Sequence, residues 1–211
     1  MSNFCSNLGQ IENIVVNCSL EKGYESTGYI VPRSDIDFSS IVYGYDNGDL
    51  QNPVVYPNTV VTQMALKSGK KGYYIAQLKN AFSGTSVALA VGDYRSTFTN
   101  TLSFNIFDNG PEAAKIVNGL ASDEFVVILE QKAKGTAGES AFRIFGLSNG
   151  LTVSEVSNDA YDDTLGNGFR ITMTEEGTSS AAQYLFVGSG SDAPSLSATE
   201  AALTSMFNRP E

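Results

Sequence analysis

The 211-residue chain carries 13 Lys and Arg against 23 Asp and Glu, and its net charge of -10 excludes a protein that grips nucleic acid by neutralising phosphates. It contains no histidine, which removes the commonest general base and the commonest metal ligand from any catalytic scheme. Apolar residues at 42% and charged residues at 17% exclude global disorder and suit one sizeable core built from strands and turns.

The first predicted strand lies in "IENIVVNCSLEKG", from Ile11. "GYIVPRSDIDFSSIVYG" alternates apolar and polar residues around Pro32, "VVYPNTVVTQMALKSGKKGYYIAQLKNAF" holds two or three strands, and "TSVALAVGDYRSTFTNTLSFNIF" supplies more. Turns are expected at Asn47-Gly48, Ser68-Gly69 and Ser83-Gly84, and the stretch from Tyr43 to Pro57 reads as a long mobile loop. "NGPEAAKIVNGLAS" predicts an amphipathic helix near 111–120: Pro111 suits a first turn, Glu112 complements the helix dipole, and Asn118-Gly119 marks the stop. Its apolar face would be Ala113, Ile116, Val117 and Leu120.

"EFVVILEQK" is apolar without a break from Phe125 to Leu129, as expected of a strand covered on both faces. In "FRITM", Phe169, Ile171 and Met173 should face the core while Arg170 and Thr172 face solvent. "SLSATEAALTSMF" predicts a short C-terminal helix capped by Ser197, behind the linker "GSGSDAPS". The fold class is therefore mainly β: a β-sandwich or barrel with one flanking helix and a short C-terminal helix. Residues 1–190 form a single β-rich domain in this scheme, and 191–211 a linker with a helix or arm.

Several stretches invite a chemical reading. "GLSNG", Gly146 to Gly150, matches the G-x-S-x-G nucleophile elbow, but Ser148 has no histidine to serve it, and a strand rather than a helix follows. A β-hairpin turn at Ser148-Asn149-Gly150 is the better expectation. "KAKGTAGES", Lys132 to Ser140, lacks the order of a phosphate loop and precedes a strand, so Gly135 and Gly138 fit a hairpin tip. Asp159, Asp162 and Asp163 do not have EF-hand spacing and read as a solvated loop. Lys70-Lys71 beside Tyr73 and Tyr74 reads as a solvated corner. Cys5 and Cys18 are expected as free thiols, and the Asn17-Cys18-Ser19 sequon as unused. The N-terminal "MSNFCSNLGQ" has neither the basic nor the apolar region of a signal peptide, and no apolar run reaches membrane-spanning length. No catalytic, cofactor or metal residue is assigned, and no enzyme is expected.

The run "VVILEQKAKGTAGESAFRIFGLSNGLTVSEVSNDAYDDTLGNGFRITMTEE" resembles a segment of virion structural proteins of tailed phages that infect Bacteroidota, including the crAss-like group. The similar features are Glu130, Lys132 and Gly135, then Ala141 to Leu147, Gly150-Leu151 and Asp163 to Gly168, about a quarter of the chain. The order of strands, helix and strands also resembles the tail-tube fold, an analogy at fold level. The resemblance implies a component of the tail or neck of a virion, assembled in the bacterial host cytoplasm into homo-oligomeric rings or a tube beside other virion proteins. DNA would pass through without specific binding. Net charge is -2 before Gly110 (7 Lys and Arg, 9 Asp and Glu) and -8 from there on (6 and 14), so the channel is expected to be lined with acid. The alternative is a carbohydrate- or surface-binding fibre, adhesin or capsid decoration module, in which the ten tyrosines stack on sugars.

Overall fold

A computed structural model describes residues 21–76, 82–159, 161, 167–188 and 192–208. Cys5, Cys18, the sequon, Asp162, Asp163 and part of the Ser/Gly linker lie outside the described residues.

The central strand, Phe125–Gln131, explains the architecture. Its five apolar residues alternate between two cores, because successive side chains of a strand point to opposite faces. Val126 and Ile128 enter one cluster with Leu185, Leu203, Met206 and Phe207. Val127 and Leu129 enter the other with Leu102, Phe104, Ile171 and Met173. The molecule is thus layered, with a large sheet in the middle, a helix on one side, and a smaller sheet with a second helix on the other.

In chain order the strands are β1 Tyr24–Pro32, β2 Val42–Asp46, β3 Val55–Gln63, β4 Gly72–Ala76, β5 Ser86–Ala90 and β6 Thr97–Ile106. After helix α1, Pro111–Leu120, come β7 Phe125–Gln131, β8 Phe142–Phe145, β9 Thr152–Asn158, β10 Phe169–Thr178 and β11 Gln183–Leu185. Helix α2, Leu196–Met206, leads into β12, Phe207–Asn208. The middle sheet runs β12-β4-β1-β7-β8-β11-β3-β2 and the smaller one β5-β6-β10-β9. Neither closes into a barrel among the described residues, so the sandwich form of the expectation is the one observed.

The expected helix forms over Pro111–Leu120, with Pro in its first turn and the Gly110 carbonyl accepting the Ala114 N–H. Ala113, Val117 and Leu120 pack inward, whereas Ile116 is 52% exposed and does not share that face. The register follows i, i+4 and i+7, and Ile116 falls at the margin of so narrow an apolar stripe. On β10, Ile171 and Met173 are buried and Arg170 is exposed, as the alternation requires.

Three expectations need correcting. Tyr43 to Pro57 is not a long loop: β2 and β3 form a hairpin whose tip is only residues 47–54. β2 and the first half of β3 are largely exposed and lack the burial pattern from which strands are read, and backbone pairing with Tyr45 opposite Tyr56 holds them instead. Pro57 is tolerated because it lies in a bulge of β3, where residues 57–60 stand opposite Gly44 alone between the pairs Tyr45–Tyr56 and Tyr43–Val61. The cap of α2 is Ser195, whose Oγ accepts the Ala198 N–H, rather than Ser197. Lastly, Ser148-Asn149-Gly150 does not join a hairpin. β8 pairs with β7 and β11 while β9 pairs with β10, so the corner carries the chain from one sheet to the other.

The C-terminal helix is part of the core. Leu203 is fully buried, and the Thr199 hydroxyl accepts the Val187 N–H at 2.8 Å while donating to the Ser195 carbonyl.

Candidate functional site

The GLSNG corner is built to hold a carboxylate that the protein itself supplies. Gly146 and Gly150 take φ values of 84° and 85°, which turn successive backbone N–H groups toward one point. The Glu175 side chain on β10 occupies it. Its Oε2 accepts the Gly146 N–H and the Asn100 side-chain amide, both at 2.9 Å, and its Oε1 accepts the N–H groups of Ser148 at 3.1 Å and Asn149 at 2.9 Å. Glu175 is 3% exposed, so these four bonds replace its water. Ser148 contributes backbone: its N–H goes to Glu175, and its carbonyl accepts from the Arg33 guanidinium at 2.8 Å. The motif that resembles a nucleophile elbow is a clamp between the two sheets.

The same device recurs at "KAKGTAGES". The Glu139 carboxylate accepts the Thr136 and Ala137 N–H groups, taking the place a phosphate would need. Lys134 is paired with Glu130 at 2.6 Å, and that hydrogen bond raises the lysine pKa. Lys70 pairs with Asp35 at 2.9 Å, Lys71 donates to the Ser205 carbonyl, and Tyr74 packs edge-on against Tyr29. These contacts pin the corner while Lys70, Lys71 and Tyr73 stay exposed, as expected of a solvated corner. The Asp159 carboxylate accepts the Tyr161 N–H, and among the described residues no group of three or more Cys, Asp or Glu could hold a metal ion.

The described residues include two surface hollows. The larger, about 790 Å³, opens between the start of β1, the end of β7 and the loop after it. Lys22, Tyr24, Lys132, Lys134, Glu139 and Tyr184 are among its walls. Burial raises the Tyr24 phenol pKa, so it stays neutral there. The smaller hollow, about 400 Å³, lies between the end of α1 and β9.

The most distinctive surface is sheet edge that is unpaired among the described residues. β5 lies at the edge of the smaller sheet with Leu89 exposed, and Val91 and Tyr94 stand free in the turn that follows. β9 forms the opposite edge, with Val156 exposed. β2 is an edge of the larger sheet and presents Val42 and Tyr43, and Leu50 at the hairpin tip is 98% exposed. The tip is ordered by its own polar groups. Asp46 accepts the Gly48 N–H, Asp49 the Gln51 N–H, and Asn47 the N–H groups of Asp49 and Val54. These backbone hydrogen bonds also lower the Asp49 pKa.

The solvent face of the smaller sheet follows from its register. Thr99, Thr101 and Ser103 of β6 lie beside Thr172 and Thr174 of β10, with Arg170, Glu155 and Ser157 on the same face. It is hydroxyl-rich and carries both signs of charge. The carboxylates after Gly110 are dispersed: Glu112 on α1, Glu124 before β7, Glu139 in its loop, Glu175 in the core and Glu200 on α2.

Sequence reasoning identified Ser148 and the glycines around it without seeing their purpose, and it missed Glu175. No signal short of the fold joins Glu175 to a corner more than two dozen residues earlier. Comparison with known protein families, curated proteins and solved structures finds no match for this chain.

Proposed function

We propose that the protein is a structural subunit of a tailed-phage virion that assembles with copies of itself into rings or a tube of the tail or neck. The observation that carries this is the smaller sheet, whose two edges, β5 and β9, are unpaired among the described residues and apolar in part. An exposed edge strand is a template for pairing, and a chain on its own protects such edges with charge, proline or cover. β5 carries neither charge nor proline: its residues are Ser, Val, Ala, Leu and Ala. Two different edges on one subunit give heterologous contacts, which close into a ring when the rotation between neighbours divides a full turn.

For a channel, the hydroxyl-rich face of the same sheet is a suitable lining. It would make few lasting contacts with DNA, since Arg170 is offset by Glu155 and no run of cations tracks a phosphate backbone. This lining differs from the strongly acidic one expected from charge alone. The carbohydrate-binding alternative has weaker support, because the exposed Tyr43, Tyr73, Tyr94 and Tyr161 sit on separate elements and build no shared platform.

Purified protein is examined by analytical ultracentrifugation and negative-stain microscopy. Rings or tubes support the proposal. A solitary or trimeric particle at high concentration overturns it, and Leu89→Asp with Val91→Asp should shift assemblies toward monomers.

A further inference from the structure

Five Asn-Gly dipeptides are spread along the chain, beginning at Asn47, Asn109, Asn118, Asn149 and Asn167. Such a pair is intrinsically reactive. Glycine has no Cβ to keep its own nitrogen away from the side-chain carbonyl carbon of the asparagine before it, so the two can close into a ring. The fold decides which of the five is free to do so. Asn47 is held: its Oδ1 accepts the N–H groups of Asp49 and Val54, and its amide donates to the Asn52 carbonyl at 2.9 Å. Asn118 and Gly119 lie inside α1, where the helical backbone points the Gly119 N–H along the axis and away from the Asn118 side chain. The Asn149 amide donates to the Glu176 carbonyl at 2.7 Å, and the Gly150 N–H is bound to the Gly146 carbonyl. Asn167 takes a φ of 66° and buries its Oδ1.

Asn109 differs in each respect. It is exposed in the link between β6 and α1, outside any helix or strand, and its side chain forms no hydrogen bond among the described residues. The nitrogen that follows it, that of Gly110, donates its proton to Asp108 Oδ1 at 2.9 Å, the separation at which a carboxylate acts as a general base.

We propose that Asn109 is a site of spontaneous covalent modification, converted to aspartate and isoaspartate with Asp108 as the base. The Gly110 nitrogen attacks Asn109 Cγ while its proton passes to Asp108. The new C–N bond closes a five-membered succinimide, the bond from Cγ to the side-chain nitrogen breaks, and that nitrogen leaves as ammonia carrying the proton. Solvent water then opens the ring at either carbonyl, so that asparagine and water give the acid and ammonia. Either product places a negative charge beside the N-cap of α1, where the helix dipole favours it. Isoaspartate also lengthens the backbone by one carbon between the smaller sheet and α1. The site stands whether or not the chain assembles as proposed above.

The test holds the purified full chain in neutral buffer at physiological temperature and follows its tryptic peptides by tandem mass spectrometry, with isoaspartate measured separately. Conversion at Asn109 should run severalfold faster than at the other four asparagines, and the spread should collapse in urea, where the fold no longer distinguishes them. Asp108→Asn keeps an oxygen to accept the Gly110 N–H and removes the base, so it should slow conversion at Asn109 severalfold with the unfolding midpoint unchanged. Gly110→Ala should slow it as well: the added Cβ meets only the Asp108 carboxylate, so the fold tolerates it, and it crowds the attacking nitrogen. Conversion at Asn109 no faster than at the other four overturns the site. Conversion that Asp108→Asn leaves at the wild-type rate overturns the base.

Discussion

Glu175 offers the sharpest test of how this fold is held together. Gln in its place keeps the volume, removes the charge and turns one acceptor oxygen into an NH2 donor. If the NH2 faces Ser148 and Asn149, two backbone donors meet a donor. The better orientation points it at Gly146 and Asn100, where the Asn100 amide can flip to offer its Oδ1, which has no hydrogen-bond partner at present. The Gly146 N–H is then left buried and unpaired, at a cost of about 1–3 kcal/mol. The bonds from Ser148 and Asn149 also lose charge assistance, about 0.5–1 kcal/mol each. The total is about 3 kcal/mol, which for a chain of this size lowers the melting temperature by about 6–12 °C. Glu175→Ala strands all three backbone donors and opens a cavity, and should cost more, about 5 kcal/mol. Urea unfolding followed by far-UV circular dichroism measures both, and Ser148→Ala is the control. Only backbone atoms of Ser148 take part, so that change should stay within about 0.5 kcal/mol. A Glu175→Gln protein within about 1 kcal/mol of wild type would refute the clamp.

Other consequences are open to measurement. Leu203→Ala should cost about 2–5 kcal/mol in the same unfolding assay, because a fully buried side chain of α2 is removed from a core that the central sheet cannot refill. In Gly72→Ala the new Cβ would run into the Phe207 ring and lie 3.1 Å from the Ile30 carbonyl oxygen, so hydrogen exchange should accelerate at Phe207 and Asn208 together with a loss of about 1–3 kcal/mol. Burial raises the phenol of Tyr24 above the ordinary 10.0, and the bond to Glu130 raises Lys134, so the folded state keeps protons that the unfolded chain releases. That stability is fully present below the ordinary values and declines as pH rises through the shifted ones; urea midpoints should fall between about pH 8 and pH 11, and Tyr24→Phe should flatten the decline.

Much of the fold was legible along the chain wherever burial writes a period into the residues. The unbroken apolar run of β7 announced a strand covered twice, and Ile171 and Met173 alternated as a half-buried strand must. Pro111 and the i, i+4, i+7 spacing of Ala113, Val117 and Leu120 placed α1. The β2–β3 hairpin is legible only in part: β3 lies in a stretch expected to hold strands, with Val60 and Val61 buried, but β2 and the first half of β3 are exposed and held by backbone pairing, which leaves no apolar signature. The GLSNG corner lies between these cases, its glycines readable as a turn but its direction unreadable. Whether β8 and β9 pair with each other or part into two sheets depends on contacts with β7, β10 and β11, which no local pattern carries. So, too, with Glu175: local chemistry marked a charged residue on a strand, and only the packing of one sheet over another turned its carboxylate inward to meet three backbone amides.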